Sequence, residues 1–169
     1  SVMQHRLGPY PRWDGFGAWV CVAPTVRSPG LEEIAPAFPP KVRVQLLRGA
    51  LVVPRGKEAA YREAFPAMLR LLKALYDAGV TIIPGTDNVA GYMLHHELEL
   101  YVQAGIPTGE VLRMATLTPA LVMGVNKDRG VIAPGKLADM VIIDGDPTQN
   151  IRDINNITTV IKGGKVYYP

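Results

Sequence analysis

Gly79-Val80-Thr81-Ile82-Ile83-Pro84-Gly85-Thr86-Asp87-Asn88 is the stretch whose reading decides the fold. A β-branched apolar run bounded by glycines reads as a buried strand, so a strand is predicted over Val80–Pro84 with Asp87 delivered just past its end. An aspartate held there is either chemistry or a cap, because Thr86-Asp87-Asn88 ahead of a helix is also ordinary capping sequence.

Working outward, Glu58 to Ala78 has a helical pattern. Phe65, Leu69, Leu72 and Tyr76 fall at helical spacing, and Met68, Leu71 and Leu75 widen the apolar stripe. Gly79 ends that helix, and Pro66 predicts either a kink or a helix start. Helix, one-glycine turn and strand make half of a βαβ crossover. After Asp87, Tyr92 to Ala104 reads as a helix with Leu94, Leu98, Tyr101 and Val102 facing inward, ended by Gly105. Thr108 is the expected cap of the next helix, with Glu110 in its first turn and Val111, Leu112 and Ala115 on its buried side. Thr118-Pro119 repeats the start signal, which predicts a third short helix ended by Gly124.

Beyond Gly124 the composition shifts to short strands and turns. Leu137 to Ile143 reads as a strand, and Val160 to Tyr167 as a hairpin turning on Gly163-Gly164. Asp139, Asp144 and Asp146 read as turn and strand-end residues; Asp144-Gly145-Asp146-Pro147 lacks the alternating oxygens and terminal Glu of a calcium loop. Upstream, residues 1–16 read as loop, residues 18–26 as a strand ending at Pro24, and residues 28–57 as a proline-rich connection with a short helix around Leu31 to Ala35. The predicted domains are 1–124 and 125–169.

Composition excludes several classes. The 169 residues are 48% hydrophobic and 20% charged, as in a globular protein with a sizeable core. The single cysteine, Cys21, sits in an apolar run and reads as packing. Net charge is +3, with pI near 9.1, from Lys and Arg spread along the chain, a solvated surface and no nucleic-acid stripe. No apolar run reaches the roughly 18 residues of a membrane span, and no signal peptide is visible, so a cytoplasmic protein is expected.

Five blocks in order carry a family resemblance. They are Ala78 to Asp87, Leu94-His95-His96-Glu97-Leu98-Glu99-Leu100, Ala115-Thr116-Leu117-Thr118-Pro119-Ala120, Gly130 to Asp139, and Val160-Ile161-Lys162-Gly163-Gly164-Lys165-Val166. Together they resemble the C-terminal part of the amidohydrolase superfamily, in particular bacterial members related to imidazolonepropionase and Xaa-Pro dipeptidase. The resemblance implies an α/β fold: the C-terminal part of a (β/α)8 TIM-like barrel followed by part of a small β-sandwich. It also implies zinc or another divalent metal in the complete enzyme, a small-molecule substrate, and amide or cyclic-imide C–N hydrolysis by a metal-activated water. Asp87 matches the family's metal ligand and proton shuttle, at the carboxyl end of a barrel strand where such groups are presented.

The same resemblance shows which ligands are lacking. Family members carry a His-x-His pair, a mid-barrel Lys or carboxylate and two further histidines, whereas this sequence has only His5, His95 and His96. His5 is the candidate for a late-strand metal histidine, or else a loop residue. His95 matches a recurrent family histidine that faces the substrate; its other reading is a helical pair with Glu99. His96 stands where the family often has Arg, and His96-Glu97 does not begin a zinc-protease motif because Leu100 replaces the second histidine. A complete barrel takes about 250 residues. The expectation is therefore the C-terminal part of an enzyme whose partner is the missing N-terminal barrel half. The alternative is a non-catalytic remnant, without a metal of its own, stabilised as a homo-oligomer.

Overall fold

The computed structural model describes residues 35–41, 43, 55–85 and 92–168. By its internal contacts the chain divides into two compact units, Ser1–Met68 and Leu69–Pro169. In the first, a 3-10 turn at Ala35–Ala37 buries Ala35, and the Arg43 guanidinium donates to the Pro36 carbonyl at 3.1 Å. The strand predicted over 18–26 and most of the short helix expected at Leu31 to Ala35 lie outside the described residues.

Three longer helices follow among the described residues. Helix α1 is Glu58–Asp77, with Pro66 inside it; α2 is Tyr92–Gln103; α3 is Thr108–Val122. All three end by the same device. After α1, the Gly79 N–H reaches the Tyr76 carbonyl and the Val80 N–H the Leu75 carbonyl. Gly105 with Ile106 repeats this after α2, and Gly124 with Val125 after α3. Each glycine has a positive φ, the conformation that lets two orphan carbonyls of the last turn find donors.

Three expectations for the helices need correction. Thr108 is the first helical residue and Pro107 occupies the cap position without a side-chain cap bond. Thr118-Pro119 does not open a third helix, because α3 runs through Pro119. Proline inside a helix forfeits one backbone bond; here the helix nonetheless continues to Val122. On α1 the apolar stripe is narrower than expected. Leu72 and Tyr76 pack on the core, whereas Met68 and Leu71 are 65% and 60% exposed, Leu71 being turned about 100° from Leu72.

The stretch Val80–Gly85 also departs from expectation. It makes no ladder with any strand among the described residues. Only Ile82 joins the core, and Val80 and Ile83 are exposed. A parallel strand buried on both faces needs a neighbour on each side and helices above and below. The described residues supply none of those neighbouring strands, so among them the apolar run is not a sheet member.

The sheet lies later in the chain. Strands β1 (Met140–Ile143), β2 (Ile157–Lys162) and β3 (Lys165–Tyr167) form an antiparallel sheet in that order, with an irregularity between Ile142 and Ile143. Strand β1 starts three residues after the predicted Leu137. Gly163-Gly164 forms the two-residue hairpin turn as expected, both residues at positive φ. Asp139 ties that turn down, accepting from the Gly163 N–H and the Lys162 ammonium, each at 2.7 Å. Between β1 and β2 a 3-10 turn, Ile151–Asn155, turns Ile151 and Ile154 into the core beside Leu98, Tyr101, Ile106, Val111 and Met114.

Gly130 shows how closely the end of α3 is approached. A methyl placed on it would sit 2.7 Å from the Ala120 Cβ, whereas one on Gly135 would meet nothing within 4 Å. Both have positive φ. Gly135→Ala is expected to cost about 1–2 kcal/mol of backbone strain. Gly130→Ala should add ~1–3 kcal/mol for overpacking. Urea unfolding of the two variants measures the difference, and equal losses would remove the close-approach explanation.

Candidate functional site

Helix α2 carries the densest group of polar and titratable side chains around the candidate site. Its sequence Leu94-His95-His96-Glu97-Leu98-Glu99-Leu100-Tyr101 buries His96, Leu98 and Tyr101 and leaves His95, Glu97 and Glu99 half-buried. The residues at positions 95 and 99 lie one turn apart, as do those at 97 and 101, so two polar pairs form on the same helix.

The first pair holds the end of the stretch that precedes Asp87. The Glu97 carboxylate oxygen Oε1 accepts from the Gly85 backbone N–H at 3.1 Å and from the Tyr101 hydroxyl at 2.9 Å. Burial, and then the carboxylate beside it, raises the Tyr101 pKa, so the phenol remains a donor. Asp87 itself lies outside the described residues, as does His5. What the structure gives is the anchor two positions ahead of Asp87.

The second pair reaches the turn after β1. His95 Nδ1 lies 3.0 Å from Asn155 Oδ1, and Asn155 Nδ2 donates to Glu99 Oε1 at 3.2 Å and to the Arg152 carbonyl at 3.0 Å. Arg152 Nε lies 3.6 Å from Glu99 Oε2. His95 and Glu99 are thus linked through an amide, whereas the sequence offered a direct helical pair. Burial lowers the His95 pKa, opposed by the Asn155 hydrogen bond and the Glu99 charge. Burial lowers that of His96 as well.

Asn155 and Glu97 were not legible as site residues. Their partners are distant in the chain, at separations of 60 and 12 residues respectively, and no local spacing signals either contact. Among the described residues no group of three or more His, Cys, Asp or Glu is arranged to hold a metal ion. The donors among the described residues therefore do not by themselves fit a divalent-metal centre. Apart from this cluster, a groove of about 900 Å³ lies between the end of α3 and the sheet, lined by Pro119, Ala120, Ile132, Leu137 and Val160 among others. None of His95, Glu97 and Asn155 lines it. No helix among the described residues is long and apolar enough to cross a membrane.

Comparison with known proteins places this arrangement in a family. The model of the amidohydrolase family matches residues 62–167, more than half of the chain. The chain belongs to the amidohydrolase family, a family of hydrolases that generally uses a divalent metal. It is 39% identical over 79 residues to adenine deaminase 2 of Oenococcus oeni, covering 45% of this chain and 14% of that protein. It is 28% identical over 153 residues to imidazolonepropionase of Shouchella clausii, covering 86% of this chain and 34% of that protein. A crystal structure of a Xaa-Pro dipeptidase with methionine in its active site matches with a TM-score of 0.60 at 24% identity, over 82% of this chain and 33% of that one; this is a likeness of fold. The chain spans about a third or less of the length of these proteins.

Half-buried His95 and buried His96, both of lowered pKa, give the folded chain a definite acid response. The unfolded chain takes up protons on these residues near pH 6.5, before the folded chain does. Their contribution to stability is therefore intact above about pH 6.5 and declines as pH falls below it, down to the folded pKa. An NMR titration is expected to place both midpoints below 6.5, and the unfolding free energy should be lower at pH 5 than at pH 7.5. Midpoints at or above 6.5 would contradict the burial argument.

Proposed function

We propose that the chain is the C-terminal part of a metal-dependent amidohydrolase that cleaves amide or cyclic-imide C–N bonds. In this reading residues 1–124 belong to a (β/α)8 barrel and residues 125–169 to a small β-sandwich. Asp87 is a metal ligand and proton shuttle just past Val80–Pro84, a run that would pair as a barrel strand in the complete enzyme, and His95 contacts the substrate. The observation that carries the reading is the anchoring of Gly85 by Glu97 on α2, two positions ahead of Asp87, within the segment that matches the family. A carboxylate is a suitable oxygen donor for a divalent cation. One carboxylate is not a site, however, and the remaining ligands would come from the missing N-terminal barrel half. The relatives differ in substrate by name, adenine in one and imidazolonepropionate in another, so the proposal stops at the bond class.

The test pairs zinc binding with turnover. The 169-residue chain alone is expected to bind zinc weakly and to hydrolyse N-acyl amino acids or dipeptides slowly at most. Joined to a barrel portion supplying the other ligands, it should gain both, and Asp87→Asn should then lower kcat by about 10²–10⁴-fold. Tight stoichiometric zinc and turnover by the chain alone, or an unchanged kcat in Asp87→Asn, would overturn the reading.

A second reading, a non-catalytic remnant that self-associates, is favoured by the apolar groove, where Ile132 is 80% exposed. It expects a concentration-dependent homo-oligomer in sedimentation, lost in Ile132→Asp. A monomer at all concentrations removes it.

A further inference from the structure

Asn155 lies between two groups that can only accept hydrogen bonds on one side and a histidine on the other. The Glu99 carboxylate and the Arg152 carbonyl both lie within hydrogen-bond distance of the same terminal atom of its side chain, at 3.2 and 3.0 Å. Neither can donate, so that atom is the amide nitrogen, whatever orientation an amide is first given. The other terminal atom is then the oxygen, 3.0 Å from His95 Nδ1. An amide oxygen only accepts, so Nδ1 carries the proton. In the neutral ring this leaves Nε2 as the acceptor nitrogen.

We propose that Asn155 is a positioning residue that fixes His95 in its Nδ1–H tautomer and so presents Nε2 as a hydrogen-bond acceptor. The chain of control runs from Glu99 through Asn155 to His95, and it joins α2 to the 3-10 turn that follows β1. Three side chains and one backbone carbonyl set one proton. Partners that fix which ring nitrogen is protonated are how histidine is made specific at functional sites. The recognised group is then an N–H or O–H of a small molecule, and an anionic oxygen is disfavoured at Nε2. This last step rests on the reading of His95 as a substrate contact; the tautomer does not.

The two are tested separately. In ¹⁵N NMR of the full 169-residue chain at pH 8, with neither metal nor substrate, His95 is expected to show a protonated Nδ1 and an unprotonated Nε2. Asn155→Asp keeps an acceptor facing Nδ1 and should raise the His95 midpoint, but it sets a carboxylate oxygen against Glu99 and the Arg152 carbonyl, so the tautomer is read from the wild type. Asn155→Leu removes the acceptor and should release the ring to a mixture in which Nε2–H is populated. A wild-type spectrum with Nε2–H, or an unchanged tautomer in a folded Asn155→Leu, overturns the positioning role; should the leucine variant not fold, the wild-type spectrum decides alone. In the chain joined to a complete barrel, Asn155→Leu is expected to raise KM for a dipeptide about tenfold with kcat little changed, the loss of one binding hydrogen bond. An unchanged KM beside a shifted tautomer would remove His95 as a substrate contact and leave the role of Asn155 standing.

Discussion

The burial of Ile151 and Ile154 against α2 and α3 is the contact on which the described structure depends. Those two residues come from a 3-10 turn of only five residues, Ile151–Asn155, too short to be stable alone. They join Leu98 and Tyr101 of α2, Ile106 in the loop that follows, and Val111 and Met114 of α3. Each such side chain gains about 1.5–3 kcal/mol from leaving water. Because the turn is anchored this way, Asn155, its last residue, is held against the polar side of α2, where Glu99 and His95 wait one helical turn apart. The polar network is a consequence of the apolar one.

Glycine-ended helices, the hairpin and the inward faces of α2 and α3 were legible because each is written in local sequence. Gly79, Gly105 and Gly124 mark ends that need a left-handed residue, and Leu94, Leu98, Tyr101 and Val102 repeat with the helix period. The misreadings have a common cause in tertiary context. Val80–Gly85 has strand composition, but a strand exists only with partners, and the described residues give it none. Pro119 has the local signature of a helix start, yet α3 runs past it to Val122. Met68 and Leu71 fit the helical stripe, and their exposure on α1 shows that a periodic pattern states which faces are apolar without stating what covers them.

The candidate site divides along the same line. His95, His96 and Asp87 stood out in the sequence as residue types with chemistry attached. Asn155 and Glu97 did not, since an amide in a turn and a carboxylate on a helix are ordinary surface residues until the fold supplies their partners. Their value lies in what they orient. Glu97 holds a backbone N–H of the segment leading to Asp87, and Asn155 holds an imidazole ring.

Both supports act from the far side of the residues they hold. Oε1 of Glu97 takes two donors at once, so losing either the Gly85 N–H or the Tyr101 hydroxyl still leaves the carboxylate bonded. Asn155 has no such redundancy toward His95: its oxygen is the partner of Nδ1 among the described residues, and its nitrogen is already committed to Glu99 and Arg152. A half-buried amide whose donors and acceptor are all engaged cannot turn over without breaking every bond it makes, at a cost of roughly 1 kcal/mol or more for each. The orientation of His95 is therefore set by the number of bonds that fail together, and that number follows from a turn whose position two isoleucines fix.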